Sequence, residues 1–357
     1  MKENDKIKSI QQDIEELTKK KAELIQEIKE REFSSDINID DMILRFREAK
    51  SKGDIAEANR ILGNLNDAVK ITVKTDNRSL PEQITDYAKS SSPIKYPWDM
   101  DLYMKNGGSH IFGARPGVGK TTIALNFIYQ SFKRNQPSIF YSFEQVEPDI
   151  WIRLIQFYLY DKHNKQTKYN DILQSFRRNQ EFGELHKQVS IALEEMKEQI
   201  VVIDSTGWTV QDISASYEHQ KNNFGARRIQ YVVVDYIQRV RPSRNSGSTK
   251  LEKIEGIVMD LTSKVKRTNS AWIILSQLTR QRNDIKNQLP DSSWFKETGT
   301  IEEDATQAII LTREKDTNGS YTPTIGMHVV KNRYGTIGEY NLRMNMPTGY
   351  IERQDDI

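Results

Sequence analysis

The sequence predicts an α/β fold built on a mostly parallel sheet, and two observations support this. From Trp98 onward, short and almost continuously apolar runs rich in β-branched residues alternate with longer helical patterns. Buried parallel strands have such runs because helices cover both faces of their sheet. Near the C terminus, the stretch TPTIGMHVVKNRYGTIGEYNLRM instead predicts two strands about a turn at Tyr334 and Gly335, so a β-hairpin closes the domain.

The expected elements follow one another along the chain in a regular alternation. One helix is expected from Lys120 and another around Trp151 to Tyr160. The expected strands are HIFGA, SIFYSF, IVVID, YVVVDY and AWIILSQ. In sheets of this kind, ligands bind at the carboxyl ends of the strands.

A small helical region is expected before this sheet. Residues 1–32 are highly charged, but apolar side chains recur at steps of three and four, with Lys21 in one seam position. This pattern predicts an amphipathic helix, able either to form a short coiled coil or to lie on its own domain. Residues 33–92 are expected to hold two short helices, broken at Gly53, and a linker. The boundary is placed near Pro93, so residues 93–357 form the large domain.

The composition excludes several classes of protein. The 357 residues include no cysteine, which excludes disulfide scaffolds, thiolate zinc sites and cysteine nucleophiles. The five scattered histidines argue against a histidine-rich metal site. The charged N terminus is no secretory signal, and no apolar run is long enough to cross a bilayer. We therefore expect a soluble, cytoplasmic protein without a membrane partner. The net charge of +2 argues neither for nor against nucleic acid.

A glycine-rich segment between an expected strand and an expected helix predicts a nucleotide-binding P-loop. Its glycines let successive backbone N–H groups surround phosphates at a helix N terminus. The lysine would reach the β- and γ-phosphates, and the first threonine would hold Mg²⁺. An ordinary glycine-rich turn is the alternative. The expected nucleotide-binding residues are Arg115, Pro116, Gly117, Val118, Gly119, Lys120, Thr121 and Thr122.

Two carboxylates are expected at the same edge of the sheet. Asp235 ends the run YVVVD, where a P-loop enzyme needs a carboxylate for its metal ion. Many P-loop ATPases carry a catalytic glutamate directly after this aspartate. Here Tyr236 follows instead, so the base that orients the attacking water must come from another strand. Glu144, which ends the run from Ser138 to Phe143, is the candidate. The alternatives are a helix-capping aspartate and a surface glutamate.

Six segments in the same order resemble the RecA-like motor domain of DnaB-type replicative DNA helicases. The resemblance implies a RecA-like P-loop NTPase core. It further implies a ring-shaped homo-hexamer that hydrolyses ATP or another NTP, with Mg²⁺, and translocates on single-stranded DNA in replication, usually 5′ to 3′. The segments are ARPGVGKTT at Ala114 to Thr122, YSFEQ at Tyr141 to Gln145, VVDYIQ at Val233 to Gln238, LSQLTR at Leu275 to Arg280, KETGTIEEDA at Lys296 to Ala305, and KNRYG at Lys331 to Gly335.

The resemblance also implies roles for three residues outside the P-loop. Gln277 is similar to the sensor that couples the γ-phosphate to the DNA loops, although a simple loop hydrogen bond is the alternative. Lys331 and Arg333 are similar to finger residues that reach the neighbouring subunit's site, where a guanidinium stabilises the transferring phosphoryl group. Their alternating positions would place both on one strand face. The alternative to the finger role is a solvated strand edge.

Two basic loops after the Asp235 and Gln277 strands are expected to contact DNA phosphates without sequence preference. A basic loop that contacts nothing is the alternative. The family has arginine where this chain has Lys296, which would replace a bidentate contact with a point charge. The expected DNA-binding residues are Arg241, Arg244, Lys250, Arg280, Arg282, Lys296, Glu297 and Gly299.

The N-terminal region departs from the family's pattern. Family members carry a larger helical domain that forms a collar and recruits primase, whereas here the region before the motor is short. We expect a shortened or replaced collar, as in a phage or mobile-element version, and primase recruitment is in doubt. Residues 81–88 could be the linker helix that docks on an adjacent motor domain, and the N-terminal helix could pair subunits or bind a loader.

Two other functions stay open at this stage. One is a RecA- or RadA-like DNA-dependent ATPase of recombination or DNA remodelling, against which the Asp-Tyr-Ile-Gln and Lys-Asn-Arg segments favour a helicase. The other is a nucleotide-switched adaptor. An adaptor would have no physical need for Lys120, Glu144 and Arg333 together.

Overall fold

The computed structural model describes Ile61 and residues 79–90, 93–98, 100–177, 183–242, 249–278, 290–291, 294–295 and 304–352. The chain divides into two compact units, Met1–Gln83 and Ile84–Ile357. The expected helix over residues 1–32 lies outside the described residues, and the division into residues 1–32, 33–92 and 93–357 stays a prediction.

Among the described residues, strands and helices alternate through most of the larger unit. The strands are β1 (Ile94–Lys95), β2 (Tyr103–Met104), β3 (Gly108–Ala114), β4 (Ser138–Ser142), β5 (Ile200–Asp204), β6 (Tyr231–Asp235), β7 (Ala271–Gln277), β8 (Gln307–Thr312), β9 (Thr324–Asn332), β10 (Gly338–Met344) and β11 (Ile351–Glu352). The helices are α1 (Leu80–Ser90), α2 (Lys120–Lys133), α3 (Glu147–His163), α4 (Tyr169–Arg177), α5 (Glu184–Lys197), α6 (Val210–Phe224) and α7 (Lys250–Val265), and a 3₁₀ turn covers Ile237–Arg239.

The main sheet is mixed, with a parallel part and an antiparallel part. Its described strands lie in the order β11-β10-β9-β8-β3-β7-β6-β4-β5. The six strands from β8 to β5 in this order are parallel, whereas β9, β10 and β11 are joined by antiparallel pairing. The expected parallel sheet and the expected closing hairpin, β9 and β10, are therefore confirmed.

Helices cover both faces of the sheet, so two hydrophobic clusters form. Residues of α2, α3, α4 and α5 pack on one face, and residues of α6 and α7 pack on the other. Phe127 of α2 makes edge-to-face contacts with Tyr96, Trp98, Phe112 and Tyr231 at centroid distances of 5.2 to 5.6 Å. Burial on both faces explains why the central strands are almost continuously apolar.

Helix α1 covers the segment expected to be a linker helix. Its start is stabilised by Glu82, whose carboxylate accepts hydrogen bonds from the Ser79 backbone N–H (2.8 Å) and hydroxyl (2.7 Å). In the described part of the chain, no helix combines the length and apolar character that a bilayer crossing requires.

Candidate functional site

The glycine-rich segment forms a loop between the carboxyl end of β3 and the start of α2. Gly117 and Gly119 have φ angles of 79° and 115°, which are costly for residues with a Cβ atom. Helix α2 starts at Lys120, its cap residue is a glycine without a side chain, and its first turn holds no acidic residue. Its first N–H groups and its positive dipole end therefore remain available to an anion.

Lys120 lies at the base of this loop, where it is partly buried. Its ammonium donates a hydrogen bond to the Ala114 carbonyl, with an N–O distance of 3.1 Å. Burial lowers the pKa of Lys120, while the nearby carboxylates of Asp235 and Glu144 favour its charged form. A lysine in this place is positioned to bind the phosphates of a nucleotide.

The hydroxyl of Thr121 donates a 2.7 Å hydrogen bond to Oδ2 of Asp235, the last residue of β6. Asp235 is only 2% exposed, and burial raises its pKa to about 6. The Thr121 hydroxyl and the Lys120 ammonium oppose this rise, whereas the charge of Glu144 adds to it. A hydroxyl beside an under-compensated carboxylate fits Mg²⁺, which takes few protein ligands together with water and phosphate oxygens.

No cluster of three or more histidine, aspartate or glutamate side chains that could hold a metal ion occurs in the described part of the chain. The Thr121 and Asp235 pair supplies two oxygen ligands, so Mg²⁺ held there would need phosphate and water oxygens to complete its coordination.

Glu144 lies at the same edge of the sheet, two residues beyond the end of β4. The strand ends at Ser142, one residue earlier than the sequence predicted. The Ser142 hydroxyl donates to the Gln145 carbonyl (2.5 Å) and accepts from the Gln145 N–H (3.2 Å), which fixes the turn that carries Glu144. The Glu144 side chain is exposed, and its charge acts on Lys120, Asp235 and Arg239.

Gln277 is the last residue of β7 and pairs in register with Ala114, where the P-loop starts. The next N–H, that of Leu278, donates to the Ala114 carbonyl at 3.0 Å, the same oxygen that accepts from Lys120. The expected sensor residue therefore adjoins the P-loop through the backbone.

The two expected finger residues lie at the opposite end of the sheet. Lys331 is in β9, and Arg333 follows the strand by one residue, so the expected alternation on one strand face stops short of it. A register shift beside Lys331 interrupts the alternation as well. The Arg333 N–H donates to the Thr306 carbonyl, and the Thr306 N–H donates to Ser109 near the start of β3.

The distance between Arg333 and the P-loop of its own chain follows from the length of β3. Ala114 lies five residues beyond Ser109 in this strand, which is about 16 Å. This is more than an arginine side chain spans. Arg333 is exposed, and its side chain does not reach the P-loop of its own chain.

Of the expected DNA-contacting residues, the structure describes Arg241 and Lys250. Arg241 is exposed, and its N–H donates to the Trp208 carbonyl at 2.8 Å. Lys250 is the first residue of α7, after the capping box of Thr249 and Glu252. Both belong to the segment after β6, whose end adjoins that of β7. The other six, Arg244, Arg280, Arg282, Lys296, Glu297 and Gly299, lie outside the described residues.

The structure adds two side chains that the sequence reasoning did not single out. A Cβ atom on Gly117 would lie 3.4 Å from the Tyr321 ring, so this tyrosine covers the P-loop from the β8–β9 connection. Nothing in the sequence near Tyr321 indicates this. Gln238, the last residue of the segment VVDYIQ, forms hydrogen bonds with Ser276 and Gln277.

Comparison with known proteins identifies relatives of this chain. The family described as DnaB-like helicase C terminal domain matches residues 102–352. The Mycoplasma genitalium protein named Replicative DNA helicase DnaB is 27% identical over 255 residues, which cover 68% of this chain and 52% of that protein. The Geobacillus stearothermophilus protein of the same name is 26% identical over 258 residues, which cover 68% of this chain and 54% of that protein. The chain thus spans about half the length of the curated relatives it matches.

Two solved structures share the fold. A structure described as an ATPase domain superposes with a TM-score of 0.61 at 21% identity, over 83% of this chain and 98% of that one. A structure of a DnaB-like replicative helicase, described together with its interactions with primase, has a TM-score of 0.66 at 21% identity, over 88% of this chain and 74% of that one.

Proposed function

We propose that this chain is an ATP-dependent DNA helicase motor, because it belongs to the family of DnaB-like helicase C-terminal domains. It would translocate on single-stranded DNA, 5′ to 3′, as a ring hexamer in DNA replication. The observation that carries the proposal is the arrangement at one sheet edge of an uncapped P-loop helix, Lys120, and the Thr121–Asp235 hydrogen bond. Together these groups supply donors for phosphate and oxygen ligands for a divalent cation.

The P-loop residues would bind the nucleotide. The backbone N–H groups from Arg115 to Thr122, except at Pro116, which has none, would surround the phosphates, and Lys120 would exchange its bond to Ala114 for one to the β- and γ-phosphates. Thr121 and Asp235 would hold Mg²⁺, Thr121 directly through its hydroxyl. When bound, Mg²⁺ neutralises charge that develops on the phosphate oxygens during transfer.

Glu144 would act as the general base. Its carboxylate is exposed at the open edge of the site, where it can orient a water molecule and accept its proton as that water attacks. Asp235 cannot serve in its place, because it is buried and hydrogen-bonded to Thr121.

Arg333 and Lys331 would act on the site of the neighbouring subunit. The position of Arg333 near Thr306, at the far end of the sheet from its own P-loop, supports an action in trans. There the guanidinium would stabilise charge on the transferring phosphoryl group, so hydrolysis would depend on assembly.

Gln277 would sense the nucleotide state and transmit it to the DNA-contacting loops. The loop after β6 would bind DNA phosphates through Arg241, Arg244 and Lys250. The loop after β7 would contact DNA through the other five expected residues, Arg280, Arg282, Lys296, Glu297 and Gly299. Helix α1 would dock on an adjacent motor domain. A helicase loader, or a primase such as the one that interacts with the similar DnaB-like helicase, is a partner class to be tested.

The test is strand displacement on a forked DNA with a 5′ single-stranded tail, with Lys120→Ala as the inactive variant and Lys187→Ala, on α5, as the matched control. We expect unwinding that requires ATP, the 5′ tail and Lys120, and that Lys187→Ala retains. Hydrolysis stimulated by single strands without unwinding would instead support a recombinase-like DNA-dependent ATPase. Hydrolysis that persists in Lys120→Ala would contradict the assigned site.

A further inference from the structure

The side chain of Gln238 joins two strand ends from which the proposed DNA-contacting loops depart. Its amide nitrogen donates to the Gln277 carbonyl (3.1 Å) and to the Ser276 hydroxyl (3.0 Å). Its amide oxygen accepts from the Gln277 N–H at 3.2 Å. One side chain thus satisfies both backbone groups of Gln277, as a neighbouring strand would.

This contact begins where the backbone pairing between the strands ends. The register of β6 with β7 stops at Val234 and Ile274, three residues before Gln277. Beyond it the chain turns into the 3₁₀ segment that contains Gln238. The amide of Gln238 therefore takes the place of a missing strand partner and fixes the start of one loop against the start of the other.

The same strand end is tied to the P-loop on its other side. Leu278 donates its N–H to the Ala114 carbonyl, the oxygen that also accepts from the Lys120 ammonium. Two sets of hydrogen bonds thus meet at the peptide group between Gln277 and Leu278. Its N–H donates to the Ala114 carbonyl, which also accepts from Lys120, and its carbonyl accepts from Gln238. When Lys120 moves to a phosphate, Ala114 loses one of its two donors, and Leu278 becomes the remaining one.

We propose that Gln238 is a positioning residue that couples DNA contact in the two loops to hydrolysis at the P-loop. This inference rests on the proposed motor function and adds a residue to it. Gln238 fits the role because a primary amide both donates and accepts, and the backbone of Gln277 needs both. These hydrogen bonds offer a physical route for coupling, and a change in activity measured with and without DNA can test it.

The experiment compares ATP hydrolysis by the full chain with and without single-stranded DNA, in Gln238→Met and Gln238→Glu. Methionine keeps the length and removes all three hydrogen bonds, whereas glutamate keeps the acceptor and removes the donor. Gln211→Met, at an exposed position of α6, is the matched control. Melting temperatures, and DNA affinity measured by anisotropy with a non-hydrolysable nucleotide, are recorded for each protein.

We expect both Gln238 variants to retain basal hydrolysis and the KM for ATP within about twofold, and to lose stimulation by DNA by about tenfold. Gln211→Met is expected to lose none. Full stimulation in both variants, or an equal loss of basal and stimulated rates, would overturn the inference while leaving the motor function in place. If single-stranded DNA does not stimulate ATP hydrolysis by the wild-type protein, both this inference and the proposed motor function are overturned.

Discussion

Replacing Asp235 with asparagine should stabilise the protein in the absence of metal and nucleotide. The carboxylate is 2% exposed, and burial raises its pKa from 3.8 to about 6. An asparagine has nearly the same shape, can still accept the Thr121 hydroxyl hydrogen bond, and carries no charge. The variant therefore removes the penalty of burying an ionised group and keeps the local contacts.

The size and the sign of the effect follow from the pKa. Because the folded-state pKa of Asp235 is raised, the carboxyl favours folding at low pH and loses that contribution as the pH rises through about 6. Above pH 7 the folded wild type should be destabilised by about 3 kcal/mol relative to a neutral group. At pH 5 this difference should fall to about half, and below pH 4 it should nearly vanish.

The assay is urea unfolding with a metal chelator and no nucleotide, at matched protein concentration, at pH 5.0, 6.0 and 7.5. Asp204→Asn is the control, because Asp204 ends the parallel strand β5, is exposed, and has its pKa lowered by hydrogen bonds from Thr206. That variant should lose stability at neutral pH, the opposite sign. An Asp235→Asn protein that is less stable than wild type at pH 7.5, or whose advantage does not change with pH, would refute the reasoning.

Two further changes test the phosphate site. Glu144→Gln should bind ATP with unchanged affinity but lose turnover by about 10² to 10⁴-fold, because the amide cannot accept a proton; nucleotide binding and single-turnover hydrolysis measure the two effects, and normal turnover would remove Glu144 as the base. Gly117→Ala should weaken ATP binding, since φ of 79° costs about 1 to 2 kcal/mol with a Cβ atom. Gly207→Ala, which has the same φ in open space, is the control. Equal ATP affinities of the Gly117→Ala and Gly207→Ala proteins would contradict this interpretation.

Local patterns were enough to predict the elements that form the proposed nucleotide site. The apolar run YVVVD and the glycine-rich loop are short segments, each of which determines its own conformation. Their meeting at one sheet edge follows from the rule that parallel strands end together. The strand β4 ends one residue earlier than predicted, because the hydroxyl of Ser142 starts the turn within the apolar run.

Other features depend on the strand order and register, and the sequence could not supply them. Arg333 lies at the far end of the sheet because β9 runs antiparallel to β8, and only the register shows that its N–H meets Thr306. Tyr321 reaches Gly117 across about two hundred residues of chain. Gln238 stands inside a recognised segment, but its partners at the end of β7 belong to another strand.

The central claim is that each hydrolysis site is completed by the neighbouring subunit, and mixing two inactive variants tests it most directly. Arg333→Ala keeps its own P-loop but lacks the finger, while Lys120→Ala lacks the P-loop lysine but keeps the finger. Each alone should hydrolyse almost no ATP, and mixed subunits should recover part of the wild-type rate, in proportion to the mixed interfaces. No recovery, with mixed assembly verified by differently tagged subunits, would contradict an action of Arg333 in trans.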